Sequence, residues 1–473
     1  MVSHGGFSAC GMCEIRGKSV PHLRGHKVVY PPETEEPIMR TAARMRQDAL
    51  QATRAQPVHG LYGPCVISFI PRFDPSKGVP NEYMHNTLSG ITKTFITVWL
   101  TDHRGRWYIK SSVDRIDEFL SCIHPPDTVK RTPRSLMSWM NWKASEWLFW
   151  LLFYSLPALL EVRPMDNVFL RHWILLVKSI HNLLLEEIKP SHLEESKNLL
   201  NLFLQEIKPL YSYIDRREPD APPKRMSGEW MYSFNVHQVS HLPMVVEETC
   251  PLLADSAFDF EDNNGVLGNL THGTTNIDKE LAGSLQLLES IRVLRRRVLQ
   301  SRPESEPTVL ADVEMRGNHA VSIDLEESEI EKIRSLVGND ELTAGDLCLY
   351  SRAVFNGKTF SSHAWTLPDK RNSCTVKSVN ANSSEVCYGE MLYFVRIEGE
   401  EDDVFCVLEC FEIDHRSMIV HKASRTVLRH ILPLRKTPYC KKQVVCSLSN
   451  VKCKLVRVGD YVCIPPNQIE INL

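Results

Sequence analysis

Two cysteines and two histidine pairs are the residues whose spacing most directly suggests chemistry. Cys10 and Cys13 stand in the run Gly5-Gly6-Phe7-Ser8-Ala9-Cys10-Gly11-Met12-Cys13, where a Cys-x-x-Cys spacing presents two thiolates to one Zn²⁺. A closed tetrahedral site needs two more ligands. His22 and His26 offer them nearby at i, i+4, and His237 and His241 repeat the spacing far downstream in FNVHQVSH. That second run is apolar enough to be one helical face, which would set both imidazoles side by side. Spacing alone leaves open a plainer reading, an inert thiol pair and buried, hydrogen-bonded histidines.

A second cluster is Ser256 to Gly265 (SAFDFEDNNG), in which Asp259, Glu261 and Asp262 could coordinate Mg²⁺ if other carboxylates converge on them. On its own it reads as a helix start with acids favoured by the helix dipole. A third, Val79-Pro80-Asn81-Glu82-Tyr83-Met84-His85, reads as another helix start with Asn81 as cap. Arg292 and Arg295 to Arg297 could touch phosphates, although arginines near a helix end more ordinarily form a solvated face. The chain contains no Walker A loop, G-x-G-x-x-G, G-x-S-x-G or H-E-x-x-H.

The elements that must position these residues follow from pattern. The 473 residues are 43% hydrophobic and 24% charged, an ordinary globular composition. A net charge of −3, from 55 basic and 58 acidic residues, excludes a polybasic chain that holds nucleic acid by bulk charge. Fourteen scattered cysteines fit a reducing compartment better than a secreted disulfide scaffold, and the nine from Cys348 onward read as small buried strand residues. The first residues lack the apolar core of a signal peptide. Trp147 to Leu160 (WLFWLLFYSLPALL) is too short to span a bilayer, which takes about 20 apolar residues, and reads as a buried helix stopping near Ser155 ahead of Pro157. A soluble protein of the nucleus or cytoplasm is expected.

Arg40 to Arg54 and Tyr83 to Leu100 read as helices, and Val66 to Ile70 as a short buried strand closed by Pro71. Ser135 to Tyr213 is strongly helical, with Ser191 and Glu194 as a capping box. A further helix is expected from about Asp278 to Leu299. Residues 301–332 are acidic, with Glu304, Glu306, Asp312, Glu314, Asp324, Glu326, Glu327, Glu329 and Glu331. Beyond Leu342 short β runs predict a barrel or sandwich: 376–379, 390–397, 404–413, 444–448, 453–458 and 461–464.

Six motifs in order carry a resemblance: Cys10 and Cys13, Val79 to His85, Arg131 to Ser135, Trp142 to Pro157, Asn235 to Leu242, and Ser256 to Gly265. Over roughly residues 5–275 the chain closely resembles the transposase-like proteins of the CACTA/Chapaev type, within the ribonuclease-H-like DDE superfamily. The β-rich C-terminal region resembles the tail of some animal members, more weakly. The resemblance implies an α+β fold, an incomplete ribonuclease-H-like remnant with a large all-α insertion and then a small β-rich C-terminal domain. It divides the chain into a remnant with the Cys-x-x-Cys (1–100), a helical insertion domain (101–250), a return segment and helix with the third acid (251–300), an acidic linker (301–341) and the β-rich domain (342–473).

Members of this family cut and paste DNA with two aspartates and one glutamate holding two divalent metals, which activate water and then a 3′ hydroxyl. The resemblance places the third acid on Glu261 and structural zinc on Cys10, Cys13, His237 and His241. Both catalytic aspartates of the family precede the Cys-x-x-Cys motif, whereas only nine residues, none acidic, precede Cys10 here. Relatives often carry aspartate before Tyr-Met-His, where this chain has Glu82. The expectation is a transposable-element-derived protein, truncated at its N-terminus and not an active nuclease, with Mg²⁺ or Mn²⁺ relevant only if it is active. The alternatives are an active DNA endonuclease whose missing acids come from elsewhere, and a domesticated module binding DNA or protein. DNA and a second copy are the expected partners; no membrane or small-molecule substrate is.

Overall fold

The structure is a computed structural model describing residues 6–22, 25–33, 37–215, 224–273, 275–300, 313–316, 325–363, 365, 371–379, 384–398, 404–421, 424–436 and 442–468. A hairpin, β1 (Lys18–His22) and β2 (Gly25–Val29), precedes α1 (Ala42–Gln51), whose first turn is capped by Thr41 Oγ1 accepting from the Arg44 amide. Among the described residues of 1–100 this hairpin is the only sheet. The expected strand at Val66–Ile70 is instead a 3₁₀ turn over Val66–Phe69, with Val66, Ile67, Phe69 and Ile70 exposed. Pro64 and Pro71 bracket it, and so short an apolar run does not distinguish strand from turn by pattern.

The helical reading of 83–100 holds, in two registers. A π-helical stretch over Met84–Thr92 runs into α2 (Lys93–Thr101). Then come α3 (Val113–Ser121), α4 (Ala144–Phe149), a π-helical turn over Trp150–Tyr154, and α5 (Ser155–Val162). The apolar run therefore does not stop at Ser155 but continues past Pro157. Proline lacks the N–H that would engage the Phe153 carbonyl, and the Cys463 thiol donates there instead, with its sulfur 3.6 Å from that oxygen.

α6 (Asn167–Leu183) is apolar on nearly every side and packs on α7 (Pro190–Leu210). α7 begins one residue before Ser191, because Pro190 fixes the first helical position, and the Lys189 amide donates to His192 Nδ1 at 3.2 Å. Phe95 is the hub of the core, with Trp99, Trp173, Phe203 and Tyr211 around it at centroid distances of 5.4–6.2 Å. Trp99 Nε1 donates to the Tyr211 hydroxyl at 3.1 Å, so the buried indole is paired. β3 (Tyr213–Asp215) and β4 (Lys224–Met226) pair, and α8 (Phe234–Gln238), a 3₁₀ turn, α9 (Leu242–Glu248), α10 (Phe258–Asn269) and α11 (Ile277–Gln300) follow.

The acidic region is more than a linker. β5 (Val313–Arg316) pairs in a sheet, and α12 (Glu327–Val337) buries Glu329, Ile330 and Ile333; residues 301–312 and 317–324 lie outside the described residues. β6 (Leu347–Tyr350), β7 (Arg352–Phe355), β8 (Lys358–Ser361), β9 (Thr375–Val379), β10 (Val386–Ile397) and β11 (Val404–Cys410) come next. β12 (Val420–His421), β13 (Thr426–Val427), β14 (Ile431–Pro433), β15 (Gln443–Ser447), β16 (Val451–Lys454), β17 (Val456–Val458) and β18 (Tyr461–Cys463) complete the chain.

Among the described residues six of these strands form one antiparallel sheet, in the order β15-β11-β10-β9-β16 with β6 also on β10. Alternation along the strands decides what covers each face. Phe394, Cys406 and Leu408 meet Ala353 and Phe360 of β7 and β8, while Val395 and Val407 meet Ile330 and Ile333 of α12.

The strands beyond this sheet pack against the helical body. Ile419, Leu428, Ile431, Val456, Val458 and Cys463 belong to the same continuous core as Val29, Phe95 and Trp173. Helical body and C-terminal strands therefore share a core. Cys387 and Cys410 form a disulfide between β10 and β11, unlike the expected free thiols; Cys374, Cys406, Cys446 and Cys463 are free and buried. Among the described residues no helix is long and apolar enough to cross a membrane.

Candidate metal centre

α8 ends in the 3₁₀ turn Val239–His241, so the helical backbone carries His237 and His241 on one face as their spacing predicts. That face meets the Cys10–Cys13 turn. Cys10 Sγ lies 3.5 Å from His241 Nε2, Cys13 Sγ 3.3 Å from His237 Nε2, and the two Nε2 atoms 3.2 Å apart. All four donor atoms fall within 4.8 Å of one another, and all four residues are buried. This cluster could hold one metal ion. The donor set is compatible with zinc: a tetrahedron with Zn–S of ~2.3 Å and Zn–N of ~2.05 Å has S···N edges of roughly 3.6 Å and N···N edges of roughly 3.3 Å.

The surroundings hold the turn in place. The Met12 amide donates to Cys10 Sγ at 3.4 Å. Arg40, itself buried, donates from Nε to the carbonyls of both Cys10 and Cys13, at 2.9 and 3.0 Å, and from Nη2 to the His59 carbonyl. Its backbone amide donates to the Met12 carbonyl, and Cys13 bridges to Met39. Tyr30 stacks on His237 with centroids 5.9 Å apart and donates to the Gly6 carbonyl. Ala9, Met12, Ile15 and Val245 complete an apolar shell. Within the thiol pair, the shared hydrogen bond pulls the Cys10 thiol well below its ordinary range and pushes Cys13 well above it, so the pair keeps one proton that a metal ion would displace.

His22 and His26, the alternative pair, do not join the cluster. They stand on the hairpin, where a strand does not place i, i+4 residues as a helix does, and His22 stacks on Trp230 at 5.5 Å.

Glu261 lies exposed on the first turn of α10, where the sequence placed it. Its Oε1 is 3.8 Å from His85 Nε2. Glu82, not Asn81, caps the π-helical stretch: Oε1 accepts from the amides of Met84 and Ala257, and Oε2 from the amide and Nδ1 of His85. A carboxylate engaged four times serves as a cap rather than as a free metal ligand. Asp74 is likewise spent in its own turn, accepting from the Ser76 amide and hydroxyl. Among the described residues, the groups of side chains close enough to share an ion do not include Glu261.

The remaining motifs touch one another. Asn81 Nδ2 donates to the Gln238 carbonyl at 2.9 Å and Asn86 Nδ2 to that of Asn235 at 2.8 Å. Gly90 stands where a Cβ would lie 2.4 Å from Asn235 Nδ2, so glycine is what permits this approach. Arg134 pairs with Glu146 at 3.1 Å, and Lys130 Nζ lies 3.6 Å from Asp262. Arg292 is exposed and pairs along its own helix with Glu289; the side chains of Arg295 and Arg296 lie outside the described residues. Arg40 and Tyr30 escaped the sequence reading because neither stands in a ligand spacing. Comparison of the chain with family models, with curated proteins and with solved structures finds no match.

Proposed function

We propose that this chain is a transposase-like protein of the CACTA/Chapaev type, built on a ribonuclease-H-like remnant, that keeps a structural zinc centre and, as it stands, does not cut DNA. The observation that carries the reading is the meeting of Cys10 with His241 and of Cys13 with His237, 231 and 224 residues apart in sequence. Two local spacings that the resemblance pairs are brought together in one buried site. Supporting it, the motif at 79–85 contacts those at 235–242 and 256–265 through Asn81 and Glu82.

Zinc there would be held by Cys10, Cys13, His237 and His241 and would act as a cross-link, tying the N-terminal turn to the segment that leads to Glu261. With four protein ligands, a closed site leaves no position for substrate. Glu261 is the inherited third acid. Two-metal phosphoryl transfer needs several carboxylates holding two ions about 4 Å apart. The near acids of Glu261 in sequence are Asp255, Asp259 and Asp262, and the capping carboxylate of Glu82 shares His85 with it. A lone exposed carboxylate binds Mg²⁺ weakly, because that ion sheds its waters reluctantly.

The test is strand cleavage and strand transfer in Mg²⁺ and Mn²⁺ on DNA bearing candidate terminal repeats, comparing wild type with Glu261→Gln. The expected result is no cleavage by either. Metal-dependent cleavage that disappears in Glu261→Gln would make the chain an active endonuclease. DNA binding without cleavage in both proteins would favour a domesticated binding module of the same ancestry.

A further inference from the structure

A cavity of about 370 Å³ lies between Asp127 and the residues at β7, the end of β8 and the start of β9. Arg352, His363, Trp365, Arg371 and Asp127 line it. We propose that this cavity binds a phosphate group.

The cavity gathers cationic side chains in a confined space. Arg352 lies over the Trp365 ring at 4.6 Å, and its Nε is buried with no hydrogen-bond partner. Arg371 donates to the carbonyls of Pro126, Val129 and Lys130, neutral groups that leave its charge uncancelled. Among the described residues, neither arginine forms an ion pair with a carboxylate. His363 Nε2 lies 2.7 Å from Glu390 Oε2, while Arg457 holds the other oxygen of Glu390 at 2.5 Å. Asp127 is paired with Lys454. Arg352, Arg371 and His363 thus line the cavity against one carboxylate, Asp127, whose charge Lys454 already meets from behind the lining. Hydrogen bonds with Cys374 and Glu390 push the His363 pKa up to about 10.

A positive surplus in a cleft with low-dielectric walls concentrates anions. Guanidinium groups suit the planar, multidentate oxygens of phosphate better than a spherical ion. A divalent cation is the rival occupant, since His363, Cys374 and Glu390 have donor atoms within 4.8 Å of one another. It is disfavoured because Glu390 is already shared between His363 and Arg457, and because an incoming cation would meet Arg352 and Arg371.

Calorimetric titration of the full chain with inorganic phosphate tests the site directly. Saturable binding is expected, weakened about tenfold in Arg352→Gln and in His363→Gln, the loss of one charge-assisted contact. Asp127→Asn removes an opposing charge while keeping an oxygen for Ser373, so it should tighten binding. A merely structural defect would weaken it, and the sign of that change separates the two. A strand bearing a 5′ phosphate that binds more tightly than its 5′-hydroxyl twin identifies a nucleic-acid end as the source. Equal binding of the two strands, with inorganic phosphate still bound, identifies free phosphate. No saturable phosphate binding, unchanged binding in a folded Arg352→Gln protein, or a zinc ion lost on His363→Gln would overturn the proposal.

Discussion

His181 in the last turn of α6 stacks on His430, which immediately precedes β14, with ring centroids 3.8 Å apart and planes 17° apart. Both rings are buried where the helical body meets the C-terminal strands. Burial drives His181 down to about 3 and His430 well below its ordinary range, and Lys178 adds repulsion for both. His172, stacked on Phe203 in the same core, is lowered to about 4 by burial. All three are therefore neutral in the folded protein at neutral pH.

The consequence is acid sensitivity at this seam. Between the folded values and the unfolded value of about 6.5, the unfolded chain binds more protons than the folded one. The stabilisation is fully present above about pH 6.5 and is lost as the pH falls toward the folded values. Each such histidine contributes a slope of up to about 1.4 kcal/mol per pH unit. Urea unfolding at a series of pH values from 7.5 down to 5 should show stability falling, and His430→Leu should flatten the slope. An unchanged slope in a folded His430→Leu protein would refute the assignment.

The C-terminal strands are integral to the helical core. Ile431, Val456 and Val458 are fully buried in it, and each such side chain contributes about 1.5–3 kcal/mol on burial. Losing them together removes an amount comparable with a domain's whole stability, about 5–15 kcal/mol. A chain ending at residue 341 should lose cooperative unfolding and bind hydrophobic dyes. A truncated chain that melts cooperatively at the wild-type temperature would contradict the shared core.

Helix positions and the ligand spacings were legible because they are local. Cys-x-x-Cys and His-x-x-x-His each declare themselves within five residues, and the amphipathic runs at 40–54 and 83–100 fix their own period. What pairs with what was not legible in spacing; the choice between His22/His26 and His237/His241 came from resemblance, and the structure brings the latter pair to the cysteines. Where the helix passes through Pro157, the donor to the Phe153 carbonyl is Cys463, more than 300 residues on. Likewise Asn81 looks like a cap in isolation, yet its amide is taken by Gln238 and the cap falls to Glu82. Such exchanges are set by tertiary contacts, which short-range pattern does not encode.

Arg40 should matter to metal retention although it is not a ligand. Its guanidinium ties together the Cys10 and Cys13 carbonyls, and a partner of that kind is worth about 10–100-fold in metal affinity. Arg40→Ala should release zinc to a competing chelator correspondingly more readily, and Arg40→Lys, which lacks the fork, should recover little of the loss. Wild-type retention in Arg40→Ala would remove it from the site's support.

The most direct measurement is the zinc content of the purified full chain, with thermal melting before and after chelation. About one zinc per chain is expected from the four-ligand stoichiometry. Cys13→Ser, His237→Ala and His241→Ala should each lower that content, and chelation should lower the melting temperature of wild type, whereas His22→Ala and His26→Ala should leave both unchanged. A metal-free wild-type protein that melts at the same temperature with and without chelator would contradict the zinc-stitched core.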